Sequence, residues 1–171
     1  MKSASLFLTI VLAAAMQTFA SSAAAQSERV THVVRRPFQE VVTTLQRSIE
    51  DHKMALVCEA DAQKGAAARG VKIRGNRVLM VFRNDFAVRL LQADPAAGFE
   101  APIRIYAYEN ADGTTTISYR TPSSVFGAYT HPEVRAVAAA LDPVFKAIVE
   151  DALAAGSASS ASPGRPATTK P

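Results

Sequence analysis

From Pro37 to Lys53 the apolar side chains recur at helical spacing: Phe38, Val41, Val42, Leu45 and Ile49 fall on one stripe. Pro37 stands in the first-turn position, where a missing N–H costs nothing. Glu40 lies in the first turn and His52-Lys53 in the last, each matched to the helix dipole. A helix with one apolar stripe must bury it against another layer, and the flanking segments read as strands.

Those strands follow from period-two patterning and β-branched content. Arg29 to Val34 is a first strand, Ala55 to Ala60 a second, and the unbroken apolar run Val78-Leu79-Met80-Val81-Phe82 a third. A run without polar alternation predicts a central strand covered on both faces. Between them Asp61 caps a short helix through Ala66-Ala67-Ala68 that stops at Gly70, and Arg74-Gly75-Asn76 turns the chain. Asn84 or Asp85 caps a helix bearing Phe86, Leu90 and Leu91 that ends before Pro95. Ile103 to Glu109 alternates, Asn110-Ala111-Asp112-Gly113 is a turn, and Thr114 to Tyr119 returns, which makes a hairpin. A closing helix starts at His131-Pro132-Glu133 with Val134, Val137, Leu141, Phe145, Ile148 and Val149 inward; Pro143 kinks it, or splits it with Asp142 as a second cap. The order strand, helix, strand, short helix, strand, helix, hairpin, helix predicts an α/β (α+β) domain. Its single mixed or antiparallel sheet carries helices mainly on one face, unlike a doubly wound parallel sheet.

Both ends of the 171-residue chain differ from this core. Met1 and Lys2, the apolar run Leu6 to Ala15 and the triplet Ala23-Ala24-Ala25 have the three-part layout of a secretory signal. That run is too short to span a hydrocarbon core of ~30 Å. Gly156 to Pro171 is almost wholly Gly, Ala, Ser, Thr and Pro, a composition that cannot offset ordering entropy. The expected layout is a signal peptide over 1–25, one α/β domain over 26–155 and a disordered Ala/Ser/Pro-rich tail over 156–171. The expected location is the periplasm, or outside the cell, with no stable membrane insertion after cleavage. The net charge of +4 is a mild bias, and nucleic acid is not an expected partner. A single cysteine excludes an internal disulfide and a Cys-x-x-Cys motif.

Four pieces in order, from about Val57 to Pro122, resemble a known family. They are Asp61 with Ala66-Ala67 and Gly70; Val78 to Asn84; Pro102 to Tyr108; and Asp112-Gly113 through Ser118-Tyr119 to Pro122. The chain resembles domain of unknown function 302. Two departures stand out: Ala62 where the family often has His, and Arg83-Asn84-Asp85 where it has Gly-Asn-Pro. The resemblance implies a β-α-β-β-β-β-α core of the TATA-binding-protein-like class and a homodimer, and it implies no established reaction.

The candidate chemistry is sparse. Cys58 sits in Ala-Leu-Val-Cys-Glu-Ala and reads as a small buried hydrophobe before it reads as a nucleophile or ligand. His32, His52 and His131 show no metal-ligand spacing; His52 and His131 suit helix ends, and His32 is the one whose strand position can aim it at a pocket. Glu59, Asp61 and Glu109 form no pair by spacing, Ser118, Ser123 and Ser124 lack a recognisable base, and there is no nucleophile elbow, phosphate loop or dinucleotide fingerprint. Arg69, Lys72, Arg74, Arg77 and Arg83 make one basic cluster, read as a solvated loop before a contact for an anionic ligand or lipid headgroups. On the hairpin, Arg104, Tyr106, Tyr108, Thr116 and Ser118 share the face opposite Ile103, Ile105 and Ile117. That face is either a solvated sheet surface or a partner surface, with a second copy of the chain as the simplest cover.

The expected function is therefore a non-catalytic module binding a small ligand or a periplasmic protein. The candidate ligand-binding residues are Asp61, Arg83, Arg104, Tyr106 and Tyr119, and no cofactor is expected. One alternative is a metal- or haem-binding accessory protein using His32 or Cys58. Another is an enzyme with a site assembled around Asp61 and Tyr119.

Overall fold

The computed structural model describes residues 29–155; the expected signal segment and tail lie outside them. Five strands, β1 (Arg29–Val34), β2 (Ala55–Asp61), β3 (Asn76–Phe82), β4 (Ile103–Glu109) and β5 (Thr115–Arg120), form one sheet in the order β1-β5-β4-β3-β2. Every pairing is antiparallel. The helices are α1 (Phe38–Asp51), α2 (Ala62–Ala67), α3 (Asn84–Ala93), α4 (Pro122–Val125) and α5 (Pro132–Ala154), with a 3-10 turn over Pro95–Glu100. A cis peptide joins Ala101 to Pro102 ahead of β4.

Period-two geometry sorts the sheet into two unlike faces. Leu79, Val81, Ile103, Ile105, Ala107 and Ile117 point to one face and are fully or almost fully buried beneath the helices. The α1 stripe arrives as predicted, with Ser48 added: its hydroxyl donates to the Ile148 carbonyl at 2.9 Å, so a polar atom enters the core with its bond satisfied. Arg36 donates to the Ala152 carbonyl at 2.7 Å, placing a cation at the negative end of α5. Among the described residues no helix packs across the opposite face of the sheet. Val78 and Met80 are half-buried there, so β3 is interior to the sheet but covered on one face only.

Four local expectations change. Cys58 is exposed, because β2 slips register between Leu56 and Cys58. The extra residue, Val57, turns Cys58 onto the open face beside Met80. Neither Asn84 nor Asp85 caps α3: Arg83 holds the cap position without a side-chain cap bond, and both residues lie inside the first turn. α5 runs through Pro143 as one helix, so the split does not occur. Asp142 does not cap a second helix; it accepts instead from the Ser123 amide at 2.8 Å and the Ser123 hydroxyl at 2.5 Å.

Gly113, at the hairpin turn, has φ +79, which only glycine adopts without strain. Gly75 is required for a different reason. A Cβ there would overlap Cδ1 and Cγ of the Phe38 ring at the start of α1. Gly75→Ala should cost about 1–3 kcal/mol of stability by overpacking, measured by urea denaturation, and Phe38→Leu in the same chain should recover part of the loss.

Candidate functional site

At the end of the sheet where β4 begins and β5 finishes, a cavity of about 350 Å³ opens toward the helix-free face. Its walls come from consecutive strands: Arg29 of β1, Ser118 and Arg120 of β5, Arg104 and Tyr106 of β4, and Val78 of β3. Ile103, Tyr119 and Val125 add apolar surface, and Glu100 is the one carboxylate in the lining.

The antiparallel register brings the three arginines together. Arg29 pairs with Arg120, and Ile105 pairs with Tyr119. One step further along the β4–β5 ladder sets Arg104 beside Arg120. The order across the strands is therefore Arg29, Arg120, Arg104, with about 5 Å between neighbouring backbones. Like charges directly opposite one another on a sheet are unfavourable. Among the described residues none of the three meets a carboxylate at ion-pair distance. Arg120 is held in place by a bond from Nη2 to the Ser124 carbonyl at 3.3 Å, while its buried Nε and the buried Ser124 hydroxyl have no hydrogen-bond partner among the described residues. Tyr106 accepts from the Asn76 amide at 2.6 Å, which fixes the phenol at the cavity wall, and its ring lies 5.2 Å from that of Tyr108.

Tyr119 faces the helix side, with its ring 6.2 Å from Phe145. Burial pushes its phenol above the ordinary value, and Glu150 and Asp142 add to the rise. It stays protonated at neutral pH, a donor and not a nucleophile. Tyr119 also lines a wider cavity of about 530 Å³ with His32, Ser123, Asp142, Lys146 and Glu150, between β1 and α5.

Arg104 and Tyr106 thus line the cavity from the helix-free face, and Tyr119 borders it from the buried side; Asp61 and Arg83 lie elsewhere. Asp61 pairs with Arg77, caps α2 through the Lys64 amide at 2.7 Å, and lies three strands from Tyr119, a separation of about 14 Å or more. No enzyme site is assembled from those two. Arg83 is clamped by Asp85 at 2.6 and 3.0 Å and stacks 4.5 Å from the Phe86 ring. The same bond holds the Asp85 carboxyl below its usual range. Arg83 borders a mainly apolar groove of about 370 Å³ with Val57, Leu90, Leu91 and Pro102, yet its charge is already matched. His32 and Cys58 occupy opposite edge strands, about 19 Å apart, and opposite faces, so they do not share a ligand. Among the described residues no three His, Cys, Asp or Glu side chains gather as a metal site would need.

Sequence reasoning missed Arg29 and Arg120. The hairpin register contained the signal for Arg120, since Arg104 and Arg120 flank the turn symmetrically; Arg29 needed the β1–β5 pairing, which no local pattern announces.

The basic cluster of the sequence also breaks up. Arg77 is buried, with Nε 2.6 Å from Glu59, Nη1 against Asp61 and its guanidinium 5.9 Å from the Phe38 ring centre. The carboxylates approach off the N–H directions, so these contacts are ion pairs more than directed hydrogen bonds. Gln46 donates to the far oxygen of Glu59 at 2.6 Å. Arg77→Met should lower stability by about 2 kcal/mol in thermal or urea melts, because two half-buried carboxylates lose their partner. Adding Glu59→Gln and Asp61→Asn should return most of it, the asparagine still capping α2.

A family model described as domain of unknown function DUF302 matches residues 30–152. The crystal structure of an uncharacterized conserved DUF302 protein from Bacillus stearothermophilus is similar with a TM-score of 0.64. It is 19% identical, and the match covers 72% of this chain and 97% of that one. At that identity the likeness concerns the fold. No curated protein matches the chain.

Proposed function

The chain belongs to the DUF302 family, and from that premise we propose that it is an exported, non-catalytic binding module whose arginine-lined cavity holds a small organic anion. One observation carries the reading. Three arginines occupy neighbouring positions on β1, β5 and β4 and line one cavity, with no ion-pair partner among the described residues. Arginine forks suit carboxylate and phosphate oxygens, which they bind through paired, charge-assisted hydrogen bonds. Tyr106 and Ser118 supply hydroxyls beside them, while Val78, Ile103 and Val125 give an apolar wall for the body of the ligand. Glu100 sets a limit: it disfavours a ligand with negative charge at both ends. The candidate acids and bases elsewhere are tied up in structure, as Asp61 is by Arg77 and Asp142 by Ser123, and this supports binding over catalysis.

Calorimetric titration with phenyl phosphate and with benzoate, at constant ionic strength, tests the pocket. Saturable binding is expected for at least one of them. Arg104→Gln and Arg120→Gln should each weaken it about tenfold, equivalent to ~1.4 kcal/mol. Absence of binding to both probes, or affinities unchanged in both variants, would overturn the proposal.

Export and self-association complete the reading. The three-part segment over 1–25 supports export. The helix-free sheet face, with exposed Val33 and half-buried Met80, Tyr106 and Tyr108, supports a homodimer closed across that face. Light scattering of the purified protein should give twice the chain mass at micromolar concentration, and Tyr108→Asp should halve it. A monomeric wild type would remove the dimer and leave the pocket untouched.

A further inference from the structure

We infer that the excursion between β2 and β3 is a docking arm for an anionic lipid surface. From Ala62 to Gly75 the chain carries Lys64, Arg69, Lys72 and Arg74 and no carboxylate. α2 buries no residue, and Gly75 is the one buried position of the whole excursion. None of the four cations has an ion-pair partner among the described residues. The neighbouring acids are engaged elsewhere: Glu59 and Asp61 hold Arg77, and Glu109 accepts from the Gly75 amide at 3.0 Å. Four like charges thus stand on a projecting segment with no internal compensation.

The arm is nevertheless shaped. Asp61 caps α2, the Val71 amide donates back to the Ala66 carbonyl at 3.0 Å, and Gln63 donates to the Ile73 carbonyl at 3.4 Å. After Gly70, whose φ of +73 ends the helical turn, Val71-Lys72-Ile73-Arg74 follows without regular structure. Val71 is 53% exposed and Ile73 39% exposed. Exposed aliphatics interleaved with unpaired cations match an anionic bilayer surface: the aliphatic groups enter the headgroup boundary, and the long Lys72 and Arg74 stems let the charges remain among the phosphates. An acidic protein would match the charge and leave Val71 and Ile73 unexplained. Nucleic acid is disfavoured because the arm has no aromatic ring on which a base stacks. The contact is peripheral, since among the described residues no helix is long and apolar enough to cross a membrane.

Co-sedimentation of the full chain with vesicles of phosphatidylcholine alone, or mixed with phosphatidylglycerol, tests the arm. Partition to the mixed vesicles should be stronger by about tenfold or more and should fall as salt is raised. The change K64Q/R69Q/K72Q/R74Q in the same chain should remove the preference, and Val71→Ser with Ile73→Ser should weaken binding severalfold at unchanged charge. Because no residue of α2 or of Val71–Arg74 is fully buried, all variants should keep the wild-type circular dichroism spectrum, and the four-glutamine variant its melting point. Two results would overturn the inference: a lipid preference that survives the four-glutamine change, or indifference to the anionic vesicles. Capture by polyglutamate in the latter case would assign the arm to an acidic protein.

Discussion

In an antiparallel sheet each residue's face is fixed by its neighbour's, and here that constraint propagates across five strands from the β4–β5 hairpin. Once Ile105 stands opposite Tyr119 and Ala107 opposite Ile117, the apolar set goes under the helices and the remaining side chains are committed to the bare side. A slip of one residue would exchange Ile103, Ile105 and Ala107 for Arg104, Tyr106 and Tyr108. No rearrangement of α1 or α5 compensates for burying that second set. The hydrophobic demand of the core therefore decides where the polar residues go, and the arginine row at one end of the bare face is a consequence of packing at the other.

Much of the architecture was readable because periodicity reports it directly. The α1 stripe, the hairpin and the closing helix are long, strongly patterned segments, and each forms where the spacing places it. Antiparallel pairing throughout, with helices on one face, matches the anticipated α/β class. The errors have local physical causes. Cys58 looked buried because its neighbours are apolar, but an extra residue at Val57 reverses the alternation. Pro143 looked like a kink or a split; α5 keeps Val134 through Ala152 on one buried side and is not split. Asp142, freed from capping, instead holds the start of α4. Arg77 looked like part of a solvated loop, yet the β2–β3 register sets it opposite Asp61, with its guanidinium over the Phe38 ring.

The candidate site was only half legible. Arg104 and Tyr106 were visible as the second face of a hairpin, and Tyr119 as the end of its return strand. Asp61 and Arg83 carry the same kinds of charge but are matched by Arg77 and Asp85, and only spatial neighbours reveal that. What separates a binding arginine from a structural one is the absence of a partner, which is a property of the fold. By that criterion the described residues hold two unsatisfied concentrations of positive charge, toward opposite ends of β3: the cavity row and the arm. The first is concave and edged with apolar surface, suited to a small molecule. The second projects and is suited to a surface.

A double-mutant cycle on the cavity row tests the register account most directly, because it reads adjacency without any ligand. Arg104→Glu replaces a cross-strand repulsion with an attraction and should raise stability by about half a kcal/mol. In an Arg120→Gln background most of that gain should disappear. An Arg104→Glu effect equal in both backgrounds would mean that the two guanidinium groups are not neighbours, and the arginine row would not exist.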